Sequence, residues 1–121
     1  VDMKTIIISL TVILAFTFLG CSVERYGTKI DKSISKVKVK DLFLDTNIVG
    51  KSVSLEGKIV SQCGSNGCWF VLRDDTGQIF INLAPRNLTL PPRMNMSAKV
   101  TGTVNIVQGQ LQVFAEGIEI R

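Results

Sequence analysis

The sequence predicts an all-β domain, a small five-stranded Greek-key barrel. Three observations predict it: apolar and polar residues alternate over long stretches after Gly50, compact turn sequences separate those stretches, and nothing after Gly50 reads as a helix. The 121 residues allow one domain. Setting aside an N-terminal segment leaves about 100 residues, enough for a small barrel core.

In the first strand Val53, Leu55, Gly57, Ile59, Ser61 and Cys63 share one face, and Ser54, Glu56, Lys58, Val60 and Gln62 share the other. Gly57 permits the bulge or bend by which one strand serves two sheets. Residues 64–67 are turn chemistry, 68–73 a second strand, 74–77 a second turn and 78–84 a third strand. Residues 85–92 interrupt the pattern. Residues 98–107 and 111–120 then form a closing hairpin around Gln108 and Gly109. Ahead of the strands, residues 37–49 carry apolar positions that suit an extended or short helical lead-in.

The N-terminus has a different character. Lys4 and Thr5 precede an apolar run, 6–19, broken only by Ser9, Thr11 and Thr17 and followed by Gly20 and Cys21. Its length suits a signal-peptide core and falls short of the roughly 20 residues of a membrane span. Met3 reads as the natural start, or Val1 as a GTG start read literally. Phe18-Leu19-Gly20-Cys21 resembles a bacterial lipobox, which implies lipidation of Cys21; Gly20 fits, whereas Phe18 and Leu19 depart from the usual leucine and small residue. An uncleaved anchor and cleavage near Ser22 are the other readings. All three place the domain outside the cytoplasm; the lipid or the uncleaved anchor would hold it at a membrane, in the periplasm or at the cell surface. The chain therefore divides into a signal or anchor segment, 1–21, a basic linker, 22–40, and the barrel, 41–121.

The net charge of +4 belongs to the linker. Between residues 23 and 40, Arg25, Lys29, Lys32, Lys36, Lys38 and Lys40 face only Glu24 and Asp31, whereas 41–121 is neutral. That balance does not describe a strongly electrostatic nucleic-acid-binding domain. Attraction of the basic stretch to anionic headgroups explains it at least as well, and a solvated linker with no partner is the other reading.

Five antiparallel strands with a long, glycine-bent first strand outline an OB-fold barrel. The runs GKSVSLEGKIV at 50–60 and WFVLRDDTG at 69–77 resemble the nucleic-acid-binding OB-fold domains of the tRNA-anticodon-like type. This resemblance spans about residues 41–121 and speaks to fold more than to ligand. The helix usual between the third and fourth strands has no room, because residues 85–95 are few and contain three prolines. The run QCGSNGCW at 62–69 is similar to the cysteine-bearing hairpin of exported bacterial OB-like proteins, which supports location more than activity.

Turn lengths suggest the register. With 64–67 as a four-residue loop, Cys63 stands opposite Cys68, Ser61 opposite Phe70 and Ile59 opposite Leu72. A disulfide between Cys63 and Cys68 is the leading expectation. The alternatives are a redox-active thiol pair or a Cu(I) site completed by Met94 and Met96. With no histidine and only two thiolates, a structural zinc shell is not expected, nor is any resident metal or cofactor.

Across the second turn Arg73 pairs with Gln78, Val71 with Phe80 and Trp69 with Asn82. Trp69, Arg73, Phe80 and Asn82 then gather on the outside of the second and third strands, with Arg86 nearby, on the surface where OB-folds bind oligomers. The competing reading covers Trp69 with Phe43, or with Leu42 and Leu44. Asp74 and Asp75 sit in a turn that favours Asp for backbone reasons, and no catalytic constellation appears. The sequence thus reads as a non-enzymatic, membrane-tethered binding module for an oligomeric ligand or an envelope protein. Nucleic acid is what the resemblance implies, although location and neutral charge disfavour it; oligosaccharide or peptide ligands, or a structural role in an envelope complex, stand beside it.

Overall fold

The computed structural model describes residues 22–64 and 67–121, so the export segment and Cys21 lie outside the described residues. In chain order the elements are β1 (Glu24–Gly27), α1 (Val39–Leu44), β2 (Ser52–Gln62), β3 (Trp69–Arg73), β4 (Gln78–Asn82), a 3-10 turn (Ala84–Arg86), β5 (Ser97–Val107) and β6 (Gln110–Ile120). Strands β2 to β6 close into a barrel in the order β5-β2-β3-β4-β6, with β6 pairing back onto β5.

β2 is the organising strand. Its first part, Ser52 to Lys58, pairs with β5, and its second part, from Lys58 onward, pairs with β3. Gly57 sits at the changeover, where a Cβ would run into the carbonyl oxygen of Arg73. Only glycine lets the β3 backbone approach so closely. β2 thus serves two sheets, as expected, and changes partner beside Gly57. The closing β5–β6 hairpin turns through Gln108 (φ 52°) and Gly109 (φ 78°), both left-handed, as a two-residue primed turn requires. β4 and β6 run parallel, with Phe80, Ile81 and Asn82 beside Gln112, Val113 and Phe114. Inward alternation then fills the barrel with Leu55, Ile59, Phe70, Leu72, Ile81, Val100, Val104, Val113 and Ile120, all fully buried. The fold class read from the sequence holds.

Two local expectations change. A bulge falls between Ile59 and Ser61, so Ile59 still faces Leu72, but Ser61 faces Val71 and Gln62 faces Phe70. An extra residue on one strand moves everything beyond it by one position. Second, the segment read as a linker is part of the sheet. β1 pairs antiparallel with β6, Tyr26 packs against the core, and Lys36 bridges to Ser54. Arg93 holds β1 in place by donating from Nε and Nη2 to the two carboxylate oxygens of Glu24, at 2.8 and 2.7 Å. Bidentate pairing of this kind fixes geometry as well as charge.

The lead-in, expected to be extended or a short helix, is a short helix that contributes to the core: Val39 and Leu42 of α1 are buried. The remote β3–β4 turn caps it. Asp74 Oδ2 accepts from Val39 N–H at 2.8 Å, and Thr76 Oγ1 accepts from Lys40 N–H at 3.1 Å. Asp74 Oδ1 also accepts from the Thr76 hydroxyl and from the N–H groups of Thr76 and Gly77. Burial opposes the charge on Asp74, but these hydrogen bonds outweigh it and hold the carboxyl below the usual range. The turn chemistry seen in the sequence thus also anchors a helix.

Candidate functional site

Alternation in β3 sends Phe70 and Leu72 inward and leaves Trp69, Val71 and Arg73 outside. The tight turn after Arg73 sets the register with β4, and all three expected pairs form: Trp69 with Asn82, Val71 with Phe80 and Arg73 with Gln78. The outer face of these strands is therefore the one the sequence described. Trp69 and Phe80 stack on it, with ring centroids 5.3 Å apart and planes inclined by 28°. Arg73 Nη2 donates to Gln78 Oε1 at 3.2 Å.

The parallel β4–β6 pairing extends this face with residues the sequence reading missed. Gln112 stands beside Phe80, and Phe114 beside Asn82. Asn82 Nδ2 donates to Gln112 Oε1 at 3.3 Å, so one amide pair, its Gln112 side buried, lies alongside the aromatic pair. Glu116 follows on β6, accepting from Thr103 Oγ1 at 3.0 Å and pairing with Arg86 at 3.3 Å. Arg86, expected to touch a ligand, is thus engaged by a carboxylate at the edge of the face. Alternation within β6 places Gln112, Phe114 and Glu116 on one side, but nothing local says which strand they lie against.

Of the residues that stood to cover Trp69, Leu42 turns into the core and Leu44 remains 75% exposed. Phe43, 60% exposed, borders a shallow groove of about 240 Å³ with Val71 and Phe80.

Cys63 and Cys68 flank the β2–β3 hairpin beside Trp69. The bulge carries Cys63 one position along, and its N–H donates to the Trp69 carbonyl at 3.0 Å. The sulfurs still meet: Cys68 Sγ donates to Cys63 Sγ at 3.0 Å, with no bond between them. That hydrogen bond, then burial, pushes the Cys68 thiol above its ordinary range, the direction opposite to an activated thiolate. The hairpin is pinned to the segment after β4. Leu90 N–H donates to Gly67 O at 3.1 Å, Gln62 Nε2 donates to Pro91 O at 2.7 Å, and Arg93 N–H donates to Gln62 Oε1 at 2.9 Å. Gly67 is left-handed (φ 56°), and a Cβ there would strike the Leu90 carbonyl. Met94 lines the same groove as Cys63, whereas Met96 packs against the core. Among the described residues, no group of three or more His, Cys, Asp or Glu side chains could hold a metal ion.

Solved structures share this architecture. The hypothetical protein ygiW from E. coli is 18% identical with a TM-score of 0.56, the match covering 78% of this chain and 99% of that one. The barrel also matches asparaginyl-tRNA synthetase from Pyrococcus horikoshii at 22% identity and a TM-score of 0.56, covering 70% of this chain and 22% of that one. The fold is an OB-fold. A putative aspartyl-tRNA synthetase from Leishmania major Friedlin is similar at 16% identity and a TM-score of 0.55, covering 77% of this chain and 22% of that one. The OB-fold therefore spans about a fifth of either synthetase. No family model and no curated protein matches the chain in sequence. In OB-folds the second and third barrel strands, here β3 and β4, are the usual binding surface.

Proposed function

We propose that this OB-fold is a non-enzymatic binding module that takes an oligomeric ligand across the outer face of β3, β4 and β6, stacking planar rings on Trp69 and Phe80. The stacked pair carries the reading. It is only partly buried, it occupies the usual OB-fold binding surface, and the part-buried amide of Asn82 lies beside it. Aromatic stacking contributes about 1 to 3 kcal/mol per base and tolerates sequence variation, so two platforms suit modest, general binding. Single-stranded nucleic acid has the support of the sequence resemblance and of two solved structures named as tRNA synthetases; oligosaccharide has the support of the Asn82 amide beside the rings. The proposal includes export on residues 1–21, a lipid anchor on Cys21, and a Cys63–Cys68 disulfide closing the hairpin beside the platform. The 3.0 Å separation of the two sulfurs supports that bond.

The test is titration of Trp69 fluorescence, this being the one tryptophan, with single-stranded oligonucleotides and with oligosaccharides. Saturable quenching by one class is the expected result, and Trp69→Ala, with its fold retained, is expected to lose affinity for that oligomer when a label on the oligomer reports binding. A Trp69→Ala protein with undiminished affinity would overturn the proposal.

A further inference from the structure

Where β2 changes partner at Lys58, a groove of about 620 Å³ opens, lined mainly by charged side chains. All four of its acidic side chains are engaged. Glu56 pairs with Lys99 at 3.1 Å, Asp75 with Lys38 at 2.9 Å and Glu119 with Arg25 at 3.3 Å. Asp74 is occupied by the N–H groups of Val39, Thr76 and Gly77 and by the Thr76 hydroxyl. Lys58, Arg73 and Arg121 line the same groove. Among the described residues, no ion pair includes any of the three.

The register concentrates these cations. Lys58 and Arg73 are cross-strand partners, so like charges stand on one rung, an arrangement that disfavours the sheet. On the other side Lys58 is paired with Ser97, whose carbonyl accepts from Arg121 N–H at 3.0 Å. One rung thus crosses four strands through Ser97, Lys58, Arg73 and Gln78. Arg73 spends one donor on Gln78 and keeps the rest of its fork. Three positive charges without acidic partners gather in a barrel whose residues 41–121 are neutral.

We infer that this groove is a phosphate-binding subsite that receives phosphodiester groups of the oligomer whose rings stack on Trp69 and Phe80. It rests on the proposed stacking role and names the ligand as single-stranded nucleic acid. Arg73 lies four residues along β3 from Trp69 and on the same side, about 13 Å away. The rung carrying Val71 and Phe80 lies between them. A strand entering at the Cys63–Cys68 hairpin meets the rings first and the cations next. Guanidinium forks suit phosphate oxygens, and a neutral polysaccharide would leave the opposed charges of Lys58 and Arg73 uncompensated.

The test is anisotropy of a labelled single-stranded oligodeoxynucleotide of about 12 nucleotides, within OB-fold site sizes, titrated with the full chain at several salt concentrations. The variants are Lys58→Gln/Arg121→Gln and Trp69→Ala, with thermal melts confirming their folds. The double variant is expected to bind about tenfold more weakly, with a log affinity against log salt slope shallower by about 1.4, or about 0.7 for each phosphate no longer neutralised. Trp69→Ala is expected to weaken binding with the slope unchanged. If only Trp69→Ala weakens binding, the phosphate subsite is overturned and the stacking role stands. If the oligonucleotide does not bind while an oligosaccharide quenches Trp69, the subsite is again overturned alone. If neither oligomer binds, both are overturned.

Discussion

Trp69 and Phe80 stack at 5.3 Å between ring centroids although neither is the other's cross-strand partner: Trp69 stands opposite Asn82, and Phe80 opposite Val71. The contact is therefore diagonal, within the reach of aromatic side chains between neighbouring strands. Phe80→Ala removes it. An aromatic pair contributes about 1 kcal/mol beyond its buried area. The variant is expected to unfold at lower denaturant concentration and to shift Trp69 emission to the red. Unchanged emission would show that the rings are not in contact in solution.

Asp74 joins the β3–β4 turn to the start of α1. Asp74→Ala is expected to cost about 1 to 2 kcal/mol, the upper range for removal of a helix cap. The pH dependence has a definite sign. The folded carboxyl titrates below the unfolded one, which lies near 3.9. As pH falls, the unfolded chain binds the proton first, so the stability due to Asp74 is complete above about pH 4 and vanishes as pH drops through the folded pKa. Asp74→Ala should be weaker at neutral pH and lose less on acidification, as urea unfolding at several pH values will show.

Cys63 and Cys68 are close enough for small movements to join them. In the chain-entropy description, a loop this short stabilises the folded state by about 2 kcal/mol. The oxidised protein is expected to unfold at higher denaturant than the reduced protein, and Cys63→Ser/Cys68→Ser to be insensitive to reductant. Equal midpoints in both redox states would rule out a stabilising bridge.

Leu42 is 2% exposed and lies on a helix that precedes the barrel strands. If α1 belongs to the core, Leu42→Ala costs about 2 to 5 kcal/mol, as for other buried leucines. A loss under about 0.5 kcal/mol, the usual surface value, would mean that the helix is dispensable.

What could be read from the sequence follows from the range of the interactions. Alternation along β2, β3 and β4 is local, and the four-residue turn from Asp74 to Gly77 fixes the β3–β4 register, so the pairings of Trp69, Arg73, Phe80 and Asn82 are legible from the chain alone. The bulge between Ile59 and Ser61 is not readable, because Gly57 marks where β2 changes partner rather than where it gains a residue. β1 is hidden for another reason. Its four residues, Glu-Arg-Tyr-Gly, carry no strand signal, and their pairing depends on β6 and on Arg93, 69 positions from Glu24. The same separation conceals Gln112, Phe114 and Glu116, since parallel closure of β4 on β6 is set by the whole barrel. Arg86 falls near the face as its position suggests, but its engagement by Glu116 depends on that closure.

Amide chemical-shift mapping of the isotope-labelled protein, titrated with a single-stranded oligonucleotide and separately with an oligosaccharide, tests the binding face most directly. The expected result is that one ligand perturbs Trp69, Val71, Phe80, Asn82, Gln112 and Phe114 together, the Trp69 indole most of all. Perturbations confined to other surfaces, or none with either ligand, would contradict a binding role for this face.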